Sequence, residues 1–218
     1  MSTSTVYPAR LSAHLDDGLS RWKWLFKWIL AVPHYVILAF LWVAFLVAAV
    51  IAGFAILFTG RYPRTLFKFN VGILRWNWRV AFYSYSVLGT DRYPPFSLAD
   101  TDYPATFDVA YPDQLSRWQV LVKPWLLALP HLLIVGALTT GIATTTAEGT
   151  AAGLSLLALL VLIAGIILLV SGRYRLGLFN LLMGLNRWIY RVAAYSALMT
   201  DSYPPFRLDQ GASEAAAR

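Results

Sequence analysis

Two long apolar runs dominate the chain, with the basic residues gathered at their ends. No Lys or Arg falls between Trp28 and Gly60, and none between Pro124 and Gly172. A cation at the centre of a bilayer costs roughly 2.5 to 3.5 kcal/mol, which accounts for the exclusion if these runs are membrane segments. In the second run, Val122 to Ile142 is apolar over about 20 residues, enough for one crossing. A polar, glycine-bearing stretch follows at 144–150, and Leu154 to Val170 is apolar again. This pattern predicts a helical hairpin with its apex at 144–150. The first run, Trp24 to Phe58, is shorter and admits two readings, a tight hairpin or one long helix that is tilted or bent at Pro33.

A third kind of segment follows each run. Arg64, Lys68, Arg75 and Arg79 recur at helical spacing and fall in one narrow stripe, among Leu66, Phe67, Val71, Leu74, Trp76, Trp78 and Phe82. Arg173, Asn180, Arg187, Arg191 and Tyr195 make a similar stripe further on. A thin basic seam on an apolar girth predicts an amphipathic helix, in the interface plane or packed half-buried beside the hairpin. Elsewhere Phe107, Val109 and Tyr111 alternate with Asp108 and Ala110, the period of a short strand, and Leu11, Ala13 and Leu15 give a weaker echo.

The chain is also a duplication. Tyr7-Pro8-Ala9 and Ser20-Arg21-Trp22 answer to Tyr103-Pro104-Ala105 and Ser116-Arg117-Trp118. Gly60-Arg61-Tyr62 answers to Gly172-Arg173-Tyr174, and Arg75-Trp76 with Arg79-Val80 to Arg187-Trp188 with Arg191-Val192. Each copy closes on Tyr-Pro-Pro-Phe, at Tyr93 to Phe96 and Tyr203 to Phe206, where paired prolines force an extended turn. Two copies of one structural unit are expected. The boundaries read as 7–98 and 103–208, joined by 99–102, with disordered ends at 1–6 and 209–218. By analogy with the second copy, the first run reads as a hairpin too, giving four membrane segments in parallel repeats.

Composition strengthens this reading. Of 218 residues, 58% are hydrophobic and 13% charged, too apolar for an ordinary soluble domain. Nine Trp suit the headgroup zone. The net charge of +7 does not imply nucleic acid, because the bases sit where membrane topology requires them. Basic flanks on both sides of each run put both termini in the cytoplasm, in a multi-pass protein of the inner (plasma) membrane. The polar first residues contain no cleavable signal peptide. The chain has no cysteine, so disulfides and Cys-ligated metals are excluded.

The candidates for chemistry are few. Arg64, Lys68, Arg75, Arg79, Arg187 and Arg191 are candidates to hold anionic lipid headgroups, for which Arg has the right fork geometry; plain positive-inside anchoring is the blander alternative. Asp91 and Asp201, just ahead of each Tyr-Pro-Pro-Phe, are candidates for structural ion pairs with Arg79 or Arg191. His34 and His131 each follow a proline at equivalent places and are weak candidates for haem ligands. A kink-capping role is the simpler reading. The sequence has no phosphate loop, nucleophile elbow or zinc-protease motif, and its apolar segments carry no acid except Glu148 at the apex. No catalytic residue, cofactor or metal is expected.

The same motifs carry a resemblance: the Ser-Arg-Trp opening with its Pro-His (Ser20 to His34), Phe58 to Pro63, Arg75 to Val80, and Asp91 to Phe96. In these the chain resembles an uncharacterised family of actinobacterial membrane proteins, domain of unknown function 4389, over nearly all of residues 7 to 208. Copy two departs at Arg175 and Ser202, where Pro63 and Arg92 have no equivalent. The resemblance implies an integral protein of the cell envelope and brings no activity with it.

The fold expected is thus an all-α integral membrane protein of two tandem repeats. Each repeat is a transmembrane helical hairpin plus a basic amphipathic interfacial helix, with short extended or β Tyr-Pro elements on the cytoplasmic side. The function expected is that of a non-catalytic accessory subunit or scaffold of a larger envelope or transport assembly, with a membrane-protein partner. The alternative is a module that binds anionic lipid.

Overall fold

The structure is a computed structural model and describes residues 7–140, 143–146 and 149–211. Glu148, the 1–6 end and residues 212–218 lie outside the described residues. The first repeat contains β1 (Ala9–Ala13), α1 (Trp24–Leu30), α2 (Val32–Thr59) and α3 (Arg64–Ser84). The second contains β2 (Ala105–Val109), α4 (Gln119–Val122), a π-helical turn (Lys123–Leu127), α5 (Leu129–Thr139), the hairpin β3 (Ala143–Thr146) and β4 (Gly149–Ala152), α6 (Leu156–Ser171) and α7 (Leu176–Ser196).

The first run is not a hairpin. α2 is one uninterrupted helix of 28 residues, about 42 Å at 1.5 Å per residue. No polar or turn-forming stretch interrupts it, and Pro33 falls at its first positions, where a missing N–H costs nothing and the ring starts a helix instead of bending one. Gly60 ends it in the left-handed conformation (φ 70°) that a residue without Cβ adopts freely. The chain then turns back along α2 as α3, tied by hydrogen bonds from Tyr35 Oη to Ser84 Oγ (2.9 Å) and from Trp42 Nε1 to Asn77 Oδ1 (3.3 Å).

The hairpin expected in the second repeat also has a different form. α5 and α6 occupy the places of the two parts of α2. His131 meets Trp188 and Phe206 as His34 meets Trp76 and Phe96. Four of the five buried positions of α6, Leu157, Ala164, Gly165 and Leu168, correspond to the buried Phe45, Ala52, Gly53 and Ile56 of α2; the fifth is Val161. Gly172 ends α6 at φ 69°, as Gly60 ends α2. The antiparallel β3–β4 ladder is therefore an insertion within one helical element, and the chain turns back through α7. A smaller insertion precedes it, since one residue more separates Lys123 from His131 than separates Lys27 from His34. The π-helical turn at 123–127 takes up that extra residue.

α3 and α7 are largely buried core helices. Trp78, Arg79, Val80 and Phe82 are wholly buried in α3, as are Leu182, Met183, Arg187 and Ala194 in α7. β1 and β2 pair antiparallel across the repeat boundary, with Leu11 opposite Phe107 and Ala9 opposite Val109. Each strand packs on the other repeat's helix. Arg187 of α7 donates from Nε to the Leu11 carbonyl (3.0 Å), and Arg75 of α3 donates from Nε to the Phe107 carbonyl (2.9 Å). Behind the strands Trp78 packs edge-on against Tyr190, its own equivalent in α7, at 5.5 Å between ring centres. The two repeats share this core about a pseudo-twofold axis.

One helix among the described residues, Val32–Thr59, is long and apolar enough to cross a membrane, and Gln119–Leu127 with Leu129–Thr139 passes the same test as a pair bent by 42°. α6 is a shorter apolar helix. α2 buries its α3-facing edge and the strip around Gly53 that meets Val120 and Leu198; Val36, Phe40, Val43, Val47, Val50 and Phe54 are exposed, as are Ile163, Ile166 and Val170 on α6. Trp22, Trp28, Trp118 and Trp125 are exposed near the starts of these elements, Trp125 to 78%.

Candidate functional site

The basic seam divides into two kinds of site. Arg79 is fully buried. It donates from Nη1 to the Ser97 carbonyl (3.1 Å) and from Nη2 to the Ala99 carbonyl, clamping the segment that follows Tyr-Pro-Pro-Phe. In the second repeat Arg187 donates to the Asp209 and Gly211 carbonyls, and Arg191 pairs with the Asp209 carboxylate at 2.6 Å. Residues 209–211 are thus pinned to the fold. The forks of these three arginines are turned inward onto protein oxygens, a use for which the planar guanidinium is suited.

Arg64 and Lys68 are placed otherwise, beside Arg75, whose fork is spent on the Phe107 and Leu98 carbonyls and the Asp108 carboxylate. They line a cleft of about 670 Å³ with Phe67, Val71, Leu98 and the strand end Asp108 to Tyr111. Arg64 and Lys68 are exposed. The Arg64 guanidinium lies 4.7 Å from the centre of the Tyr111 ring. Tyr111 is held in turn by donating to the Tyr62 carbonyl at 2.5 Å, while Asn70 donates to the Tyr62 hydroxyl at 2.9 Å. Arg75 forms an ion pair with Asp108 at 3.0 Å.

Asp91 and Asp201 do form ion pairs, with lysines in place of the expected arginines. Lys27 is 1% exposed, pairs with Asp91 at 2.8 Å and donates to the Thr90 carbonyl at 2.6 Å. Lys123 pairs with Asp201 and donates to the Thr200 carbonyl at 3.0 Å. In each copy a serine backbone N–H caps the carboxylate, Ser20 on Asp91 and Ser116 on Asp201, both at 2.8 Å. Burial pushes the Asp91 carboxyl up, but Lys27 and the Ser20 N–H outweigh it and hold the group below the ordinary carboxylate value. Burial pulls Lys27 down, and Asp91 offsets part of that. Sequence reasoning missed Lys27 and Lys123 because they stand at the edges of apolar runs, where they look like flanking anchors. Their retention in both copies was the available signal.

His34 and His131 are buried in matching aromatic boxes. Trp76 donates to Nδ1 of His34 at 3.1 Å and Trp188 to Nδ1 of His131 at 3.2 Å. Phe96 stacks on His34 at 3.9 Å and Phe206 on His131 at 4.1 Å. One nitrogen and one ring face of each imidazole are thereby occupied, while Nε2 of each is buried without a hydrogen-bond partner among the described residues. No group of His, Asp and Glu among the described residues is arranged to hold a metal ion.

A second concavity of about 410 Å³ is almost wholly apolar, lined by Leu46, Val50, Gly53 and Phe54 of α2 with Val120 and Trp125. At the equivalent place in the other half, the Trp24 indole lies against Gly165. Val120, standing where Trp24 stands, leaves the first groove open.

A family model described as Domain of unknown function (DUF4389) matches residues 21–97 and 150–207, together more than half of the chain. The two matched segments fall in the two repeats. No curated protein and no solved structure matches the chain.

Proposed function

We propose that this chain, which belongs to the DUF4389 family, is a non-catalytic integral membrane accessory protein, held in the plasma membrane by α2 and the α5–α6 element. The observation that carries this reading is the exposed apolar face of α2, from Val36 to Phe54, with its counterpart on α6 and a fringe of exposed tryptophans. In water that face would be an aggregation site; in hydrocarbon it costs nothing. The inward side of the fold holds the buried cations Lys27, Arg79 and Lys123 together with protein oxygens that pair with them.

The distribution of bases supports an orientation. The Arg117 side chain packs over Gly60 at the end of α2, and the Arg21 side chain over Gly172 at the end of α6. Arg61, Arg64, Arg173 and Arg175 follow directly. Cations thus flank α2 at both ends, Arg21, Lys23 and Lys27 before it and Arg61 and Arg64 after it; because α2 is one unbroken helix, these groups fall on opposite sides of a bilayer it crosses, and we place the Arg61 end on the cytoplasmic face, with the chain passing more than once through the bilayer. The two exposed apolar faces and their tryptophan fringe also offer packing surface to another membrane protein, and the role we assign is that of a subunit or scaffold of a larger envelope or transport assembly.

The natural lack of cysteine gives a clean test. Single cysteines at Arg61 and at Ser97 are labelled in intact cells with a membrane-impermeant maleimide, after carbonate washing has shown the chain in the membrane pellet. Protection at position 61 is expected. Labelling there overturns the orientation, and release by carbonate refutes the membrane reading. Gentle extraction is expected to bring down a partner at fixed stoichiometry; a clean monomer refutes the accessory role alone.

A further inference from the structure

We propose that the cleft formed by Arg64, Lys68 and Arg75 with Tyr111 binds the anionic headgroup of a membrane phospholipid, and that this site exists in the first repeat only. The inference rests on the membrane reading above and adds a ligand and a place.

The cleft has the composition of an amphiphile site. Its floor is Phe67, Val71 and Leu98, and its rim carries Arg64 and Lys68 beside the Arg75–Asp108 ion pair. Arg64 and Lys68 form no ion pair with any described residue, so their charge is available, whereas Asp108 is taken by Arg75. Arg64 is oriented by the Tyr111 ring and not by an acid. The α3 N-terminus has no side-chain cap, so its first-turn amides add positive potential at the same place. The depth also suits a headgroup: the exposed apolar face of α2 runs to Phe58, and Arg64 opens the next helix after a short turn. A phosphodiester would reach the rim while its glycerol and acyl carbons lie over the apolar floor.

The second repeat is an internal control. Leu176 and Asn180 stand where Arg64 and Lys68 stand, Leu15 stands for Tyr111, and Asp209 takes the place of Ala99. That carboxylate already engages Arg191 and Arg207. The duplication has kept the buried clamp in both copies and the open, basic cleft in one, so the cleft is separable from what the fold needs.

The test uses the full chain in nanodiscs of equimolar phosphatidylglycerol and phosphatidylcholine, with retained lipid read by native mass spectrometry. Wild-type protein is expected to retain phosphatidylglycerol in roughly tenfold preference, and R64Q/K68Q to bring the two lipids near parity with an unchanged thermal midpoint. D108N, which removes the rim carboxylate, is expected to raise the preference and decides the matter if the double variant is unstable. No preference in the wild type, or an undiminished one in R64Q/K68Q, overturns the proposal, as does an unchanged or lowered preference in D108N. Inorganic phosphate that displaces the lipid at millimolar concentration overturns the lipid assignment in favour of a free anion. Carbonate washing of each variant separates the two readings: a chain released from the pellet defeats membrane insertion, while a chain that stays but does not discriminate defeats only the headgroup site.

Discussion

Leu11 lies directly across the strand pair from Phe107, the residue that holds its own place in the second repeat. The pseudo-twofold axis therefore passes through this pair, and each strand is buried by the other repeat's helix through Arg187 and Arg75. Neither repeat encloses its own strand, so the duplication is an exchange of strands within one chain.

That exchange predicts the behaviour of half the chain. Residues 1–102 alone would leave α3 without β2 and β1 without α7. Two such halves can repair both losses by pairing β1 with β1 about Leu11, the self-complementary contact a twofold dimer requires. The half-chain in detergent is expected to be a dimer by light scattering, and L11K, which puts like charges face to face, is expected to leave it aggregated or unfolded. A folded, monodisperse monomer of the half-chain would contradict the exchange.

The Lys27–Asp91 pair sets a second expectation. With Lys27 at 1% exposure, D91N strands an ammonium group whose remaining partner is a carbonyl. Breaking a buried pair from one side costs about 3–5 kcal/mol, whereas removing both charges is nearly neutral. D91N should lower the thermal midpoint in detergent sharply, and K27M/D91L should restore most of it. The pH dependence follows from the depressed Asp91 carboxyl. Because the folded state holds this group ionised more tightly than the unfolded chain, its stabilisation is complete above about pH 5 and is lost as pH falls through the folded value. Between pH 6 and 3 the wild-type midpoint should fall more than that of K27M/D91L; parallel curves would remove the pair from the account.

Arg79 and Arg64 belong to one predicted stripe but should respond to mutation in opposite ways. R79A removes two charge-assisted bonds to the Ser97 and Ala99 carbonyls and empties the space of a fully buried side chain. The cost is about 2–4 kcal/mol, and R79K should not recover it because an ammonium lacks the fork. R64Q should leave the midpoint within about 0.5 kcal/mol of wild type, as exposed surface changes do. Equal losses from R79A and R64Q in chemical unfolding would mean that the seam is one functional unit.

Much of this was legible along the chain, and the failures have physical causes. The duplication, the basic stripe and the two short strands all show in spacing, because side-chain periodicity survives whatever packs on it. What spacing hid was depth. Arg64 and Arg79 sit at compatible helical angles, yet one faces a cleft and the other a main-chain strap whose position depends on the Tyr-Pro-Pro-Phe turn. The hairpins were misplaced for a related reason. The 144–150 stretch looks like an apex because a turn between two apolar runs usually is one. The uninterrupted first copy held the correction, since a segment absent from one repeat is more simply an insertion. The exchange of strands leaves no local trace, because nothing in β1 states which α-helix will cover it.

The last contrast lies in the two grooves, where Val120 stands in one repeat for Trp24 in the other. A Cβ added at Gly165 would meet the Trp24 ring at 3.0 Å, and a flat ring wedged against α1 cannot yield. At Gly53 the added atom would meet only the end of Leu198 at 3.3 Å and Val120 at 3.7 Å, and a terminal methyl can rotate away. In a helix interior Gly to Ala gains roughly 0.5–1 kcal/mol from the unfolded chain, while overpacking against a rigid neighbour costs about 1–3 kcal/mol. G53A should therefore hold or raise the thermal midpoint and G165A should lower it. V120W should close the open groove as Trp24 closes its counterpart, and in that background G53A should become destabilising in its turn. If G53A and G165A shift the midpoint alike in wild type, the Trp24–Val120 difference is not what separates the two halves.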